Sequence, residues 1–134
     1  MPMKNHLATT LLIASMALSG CASVNTAHTP PEGSAERNAI LQAVHHALAR
    51  QGRKNLVLIV PYLKVHNGWA WIQVNPQSAD GKQHYESQSG LLQQQTNKWT
   101  LLEWMPAEEG TDYKKYFTNL KAKYPSAPTD IFPQ

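Results

Sequence analysis

The chain is expected to form an α+β domain: an N-terminal helix packed on a four-stranded antiparallel meander sheet, followed by a C-terminal helix. Three observations predict it. Apolar residues recur at helical spacing after Ser34 and again after Asp112. Between them lie two strand pairs, each broken by a tight-turn dipeptide, Asn67-Gly68 and Thr96-Asn97. Strands joined by such turns pair antiparallel.

Ser34 opens the first helix, because its hydroxyl can cap free backbone N–H groups, and Glu36 places an anion in the first turn. Ile40, Leu41, Val44, Ala47 and Leu48 form one buried stripe. Arg50 sits in the last turn and Gly52 ends the helix. His45 and His46 point about 100° apart on a helix, and neither has a His, Asp or Glu at i+4. They are read as flank and surface residues, and no metal site is expected.

Asn67-Gly68 is a strong hairpin signal, since a type I′ turn needs positive φ at both central residues. That turn sets His66 opposite Trp69, Val65 opposite Ala70, Lys64 opposite Trp71 and Leu63 opposite Ile72. Leu63, Val65, Ala70, Ile72 and Val74 then share the core face that receives the first helix. Tyr62, Lys64, His66, Trp69, Trp71 and Gln73 share the other. Tyr62, Lys64, Trp69 and Trp71 are the partner-binding candidates, because clustered Trp and Tyr on a rigid strand pair carry interface energy. The competing reading makes the same face a second core layer beneath the C-terminal helix. Lys64 over Trp71 would make a cross-strand cation–π pair. Pro61, unable to donate to a ladder, marks an edge or a bulge.

Asn75 to Tyr85 reads as a loop with Asp80-Gly81 at its tip. A second hairpin, Ser87–Gln95 with Lys98–Met105, pairs Leu92 with Leu101 and Leu91 with Leu102. Trp99 joins the Leu92 face and Trp104 the Leu91 face. Both faces are apolar, as in a central strand pair covered on both sides. Thr111 or Asp112 caps the last helix, whose Tyr113, Tyr116, Phe117, Leu120 and Tyr124 recur at helical spacing. The proline-bearing tail runs extended, with Ile131-Phe132 as a docking point.

Location is legible near the start of the chain. Lys4 provides a basic n-region, Leu7–Leu18 an uncharged apolar run, and Leu18-Ser19-Gly20-Cys21 two small residues directly before the only cysteine. The apolar run is about 12 residues long, short of the ~20 that span a bilayer. The motif resembles the lipobox of bacterial lipoproteins. That resemblance implies removal of residues 1–20 as a signal peptide and attachment of fatty acyl chains, palmitate among them, at Cys21. Ala22 follows the cysteine where an Asp would hold such proteins at the inner membrane, so outer-membrane anchoring facing the periplasm is expected. Residues 21–33 are polar, carry Pro30-Pro31 and read as a flexible tether. Residues 34–134 form the single α+β domain.

With Cys21 acylated no thiol is left for a disulfide, so four Trp, five Tyr and the aliphatic residues must carry the core. Loss of Lys4 with the leader lowers the formal charge from +3 to +2. That is too small a basic excess for a nucleic-acid binder, and none is expected as a partner. The mature region also resembles a group of small exported bacterial proteins of unknown function. The similarity lies in Ser34-Ala35-Glu36-Arg37-Asn38-Ala39-Ile40-Leu41, in Leu63 through Trp71, in Leu91-Leu92 through Trp99-Thr100-Leu101-Leu102-Glu103-Trp104, in Gly110-Thr111-Asp112 and in Ile131-Phe132. It implies one compact α+β unit and transfers no catalytic residue.

Catalytic signatures do not emerge. The chain has no HExxH, CxxC, glycine-rich phosphate loop or GxSxG elbow. His84 with Asp80 is a chance-level pairing. Glu108-Glu109 are loop neighbours, and Glu86 and Glu103 define no carboxylate pair of known separation. No catalytic residue and no cofactor are assigned. The expected function is a non-catalytic, lipid-anchored periplasmic interaction module that binds a protein, either neutralising a toxin or hydrolase or assisting envelope assembly. The alternative is a ligand-binding or enzymatic pocket protein of NTF2-like or cystatin-like shape.

Overall fold

In the computed structural model, which describes residues 26–134, Ser34 turns the chain into its first helix. Its Oγ accepts the Arg37 N–H at 3.2 Å and caps α1 (Ala35–Arg50). Gly52, at φ +81°, ends that helix. The Gly52 N–H donates to Ala49 O and the Arg53 N–H to Leu48 O, both at 3.0 Å, which satisfies carbonyls the last turn leaves free. Residues 1–20 and Cys21 lie outside the described residues, as does the first part of the expected tether.

Four strands follow: β1 (Leu56–His66), β2 (Trp69–Ser78), β3 (Gln88–Gln95) and β4 (Lys98–Trp104). They form one antiparallel sheet in the order β1-β2-β3-β4. Then come α2 (Tyr113–Lys123), capped by the Asp112 carboxylate on the Lys115 N–H at 3.0 Å, and a 3₁₀ turn at Thr129–Ile131.

The first hairpin has the expected register. Asn67 and Gly68 sit at φ 54° and 78°, and His66, Val65, Lys64 and Leu63 oppose Trp69, Ala70, Trp71 and Ile72. Ile59 pairs with Asn75 and Tyr62 with Gln73, so Val60 and Pro61 together oppose Val74. This bulge accommodates a proline that cannot donate. The expected loop from Asn75 begins later, because β2 continues to Ser78 against Leu56–Ile59. Asn, Pro and Ser favour turns by type, but here the long facing strand holds them extended. Pro76 uses only its carbonyl, accepting the Tyr85 N–H at 2.9 Å.

In the second hairpin Leu92 opposes Leu101, as expected, but the register then shifts. Leu91 opposes Glu103 rather than Leu102, and Gly90 opposes Trp104. The extra residue turns Trp104 to the Leu92 face, contrary to the simple alternation. Gly90 makes room for it: a Cβ there would lie 2.9 Å from Leu101 Cδ1 and 3.0 Å from both Glu103 O and Trp104 Cε3. Both faces of this hairpin are covered, yet β4 is an edge strand and only β3 is central.

The sheet therefore separates two cores. On one face Ile40, Val44 and Leu48 of α1 pack on Leu63, Val65, Ala70, Ile72, Val74, Leu92 and Trp99. On the other, Leu120 of α2 with Ala127, Ile131 and Phe132 of the tail close over Trp69, Trp71 and Leu91.

Part of the expected tether belongs to the domain. His28 and Val65 exchange backbone hydrogen bonds of 2.9 and 2.8 Å, and Thr29 Oγ1 donates to Leu63 O at 2.9 Å. The Ala27 N–H reaches Asp130 Oδ2 at 2.9 Å, while Asp130 Oδ1 meets His66 Nδ1 at 2.8 Å. His28 Nε2 also lies 3.0 Å from Glu36 Oε2, and Pro30 is buried. A free tether up to Gly33 is thus corrected: polarity and prolines concealed a segment whose partners are remote in sequence.

Two outcomes follow from this packing. Gly90→Ala is expected to lose about 1–3 kcal/mol in denaturant melts, because backbone and an indole must move to admit one methyl group. The second concerns the clasp at Asp130, whose carboxyl is held below its ordinary range, first by His66 and also by the Ala27 N–H. A lowered acid pKa favours the folded state above the ordinary carboxyl range, and that contribution disappears as pH falls through the lowered value. Amide exchange at Ala27 and His28, corrected for intrinsic rate, should rise across that acidic window. Asp130→Asn should abolish the step.

Candidate functional site: a half-covered sheet face

The second face of the sheet is unevenly covered. Near the Asn67-Gly68 turn, Trp69 and Trp71 keep only 7% and 1% of their surface. Toward the other end, Val57 and Ile59 of β1 lie on the same face and are 41% and 48% exposed. The boundary follows from the C-terminal segment. Its apolar side chains Leu120, Ala127, Ile131 and Phe132 all converge on Trp69, Trp71 and Leu91.

At that boundary lies a groove of about 440 Å³. Trp71, Gln73 and Ser89 form its floor, with Tyr62, Phe117 and Met105 beside them. Tyr113, 49% exposed at the start of α2, forms one lip, and Glu86 and Ser87 form another. Gln73 Nε2 donates to Ser87 Oγ at 3.2 Å, which holds the amide across the floor. The Tyr62 hydroxyl donates to Ile131 O at 2.8 Å and pins the tail at the groove's edge. Burial, and then Asp130, raises the Tyr62 pKa, so this phenol remains a donor at neutral pH.

The four expected partner-binding residues thus divide. Trp69 and Trp71 are corrected to the second core layer: Trp69 meets Tyr124 at 5.9 Å between ring centroids, and Trp71 meets Phe117 at 5.3 Å and Phe132 at 5.5 Å. Tyr62 is half-buried and structural through its hydroxyl, yet reaches the groove. Lys64 is half-buried opposite Trp71. The expected Lys64–Trp71 cation–π pair gives way to aromatic enclosure of that indole. Cations instead lie over Phe132 (Lys121, 5.5 Å), Tyr124 (Lys123, 5.4 Å) and Tyr85 (Arg53, 5.7 Å). The residues missed in the sequence are Gln73, Ser87, Ser89, Met105 and Tyr113, which share no spacing and meet only through the fold.

The titratable groups serve mainly local structure. Asp80 accepts from Ser78 Oγ at 2.6 Å and the Lys82 N–H at 3.0 Å, bonds that lower its pKa and commit it to its own loop rather than to His84. Glu103 binds Lys123 Nζ at 3.1 Å and receives the Tyr124 hydroxyl at 3.4 Å. The Tyr116 hydroxyl is buried without a partner. Burial first, then Glu103 and Tyr124, pushes its pKa up to about 12. Among the described residues no cluster of three His, Cys, Asp or Glu could hold a metal ion, and His45 and His46 are both exposed.

Core and groove separate experimentally. Trp71→Ala should cost ~3 kcal/mol or more, through lost burial and a cavity beneath Phe117 and Phe132. Tyr113→Ala should stay within about 0.5 kcal/mol of the parent protein in urea melts. Equally small losses would show that α2 and the tail do not enclose Trp71. No protein-family model matches this chain, and no curated protein or solved structure matches it either.

Proposed function

We propose that this chain is a lipid-anchored interaction module of the bacterial envelope, acylated at Cys21, that takes a protein segment into the groove beside α2. The observation that carries the binding reading is the half-covered sheet face. A floor with amide and hydroxyl groups (Gln73, Ser89) suits the backbone of an extended segment. Tyr113, Met105 and Phe117 beside it suit that segment's apolar side chains. Val57 and Ile59 extend the same face along β1. The anchor reading rests on Leu18-Ser19-Gly20-Cys21, and outer-membrane residence facing the periplasm rests on Ala22. Among the described residues no helix is long and apolar enough to cross a membrane.

A small apolar ligand is the second reading. The groove volume of about 440 Å³ falls within the range of ligand sites, but its open lips and polar floor favour a segment that passes through.

Anchor and groove are tested separately. Wild-type protein should incorporate labelled fatty acid and sediment with membranes, whereas Cys21→Ser should remain unacylated. Ala22→Asp should shift the protein inward in a host that sorts by that residue. A photocrosslinker at Ser87 should capture a defined envelope protein in cells, and Tyr113→Ala combined with Ile59→Lys should remove that adduct without lowering the melting temperature. A small bound mass in native mass spectra, with no adduct at Ser87, would favour the ligand reading instead.

A further inference from the structure

We infer that the hairpin-tip end of the domain is the surface that rests on lipid headgroups, and that the groove, floored from Trp71 onward and opening between Glu86, Ser87 and Tyr113, faces away from the membrane. This rests on the proposed acylation of Cys21 and adds an orientation to it.

The first support is where the chain enters the fold. Ala27 and His28 are clasped by Asp130 and Val65, beside His66 and the Asn67-Gly68 turn. Only residues 22–26 then separate the acylated cysteine from the first clasped residue, six Cα steps from Cys21 to Ala27. Whatever their conformation, these steps span at most ~20 Å. β1 alone runs 11 residues from Leu56 at the far end to His66 at the tip, which at ~3.3 Å per residue is about 35 Å. A tether of that reach cannot leave the clasped end standing about 35 Å above the bilayer, so the inverted upright pose is excluded and the hairpin-tip end stays close to the surface.

The second support is what stands at each end. The two hairpin tips lie together, since the Gln94 N–H donates to Gly68 O at 2.7 Å. The last turn of α2 arrives there too, with Tyr124 against Trp69. His66–Trp69 and Gln93–Lys98 contain no carboxylate and end in Lys98, and α2 adds Lys121. The acids nearest the clasp are engaged: Asp130 by His66 and the Ala27 N–H, Glu36 by His28, and Glu103 by Lys123, while exposed Glu32 follows the clasped segment toward α1. The opposite end is of mixed charge, with Asp80, Glu86, Glu108, Glu109 and Asp112 in its connections beside Arg53, Lys54, Lys82, Lys114 and Lys115. An uncharged-to-cationic surface at the hairpin tips suits anionic headgroups, while the mixed-charge connections and the groove's lips project toward the compartment.

The test uses the acylated full-length protein, in which Cys21 is the only native cysteine, so one introduced thiol carries one fluorophore. Gln95→Cys labels the near end; Lys82→Cys and Glu109→Cys label the far end. Each protein is reconstituted in phosphatidylethanolamine–phosphatidylglycerol vesicles containing a headgroup nitroxide lipid. The label at residue 95 should lose most of its emission, whereas those at 82 and 109 should keep theirs. Inserting roughly 20 Gly/Ser residues between Ser23 and Val24 lengthens the reach to ~90 Å and should restore emission at residue 95 if the short tether enforces the contact. Protein that floats with the vesicles but is quenched equally at all three positions overturns the orientation and leaves the anchor standing. Protein that neither floats nor carries an acyl mass overturns both.

Discussion

Both central residues of the Asn67-Gly68 turn sit at positive φ, and this two-residue loop decides which way every side chain of the first hairpin faces. Leu63, Val65, Ala70, Ile72 and Val74 go to α1; Trp69 and Trp71 go to the opposite side. A slip of one residue would send the indoles into a face shaped for α1 and expose the aliphatic set to the tail. The second hairpin adds the converse device. A bulge near Glu103 returns Trp104 to the first core, and Gly90 leaves the space its ring needs. The sheet is thus a partition between two cores whose register must hold on both sides at once.

The second core is also what leaves the groove open. α2 and the tail bring few large apolar residues, and these are concentrated over Trp69, Trp71 and Leu91. What remains of the face is polar along β2 and β3, at Gln73, Asn75 and Ser89, so solvent there carries little penalty. β1 departs from this pattern through exposed Val57 and Ile59. Exposed apolar residues on an edge strand invite a partner or aggregation, and natural proteins usually cover or charge them. They lie on the same sheet face as the groove, and that shared exposure is the structural basis of the proposed binding surface.

The N-terminal clasp couples the entering chain to the last residues of the fold. Asp130 bridges Ala27 and His66, and Tyr62 holds Ile131 in the adjacent turn. Entering chain, hairpin tip and tail are therefore gathered at one end.

Local chemistry alone was enough for the elements whose determinants lie within a few residues of one another. The Ser34 cap, the Gly52 stop, the apolar stripe of α1 and the pairing around Asn67-Gly68 are all short-range. Tertiary structure decided everything that depends on what arrives from elsewhere in the chain. Alternation marked Trp69 and Trp71 as an aromatic face, but only Leu120, Ile131 and Phe132, brought from 50 or so residues away, make that face a core. Asn75–Ser78 became strand because Leu56–Ile59 lay opposite, and Ala27–Thr29 became part of the domain because Val65 and Asp130 offered partners. The groove was the least legible feature: Gln73, Ser89, Met105, Tyr113 and Phe117 line it together although they share no spacing, and no local residue pattern encodes a gap between elements so far apart in sequence.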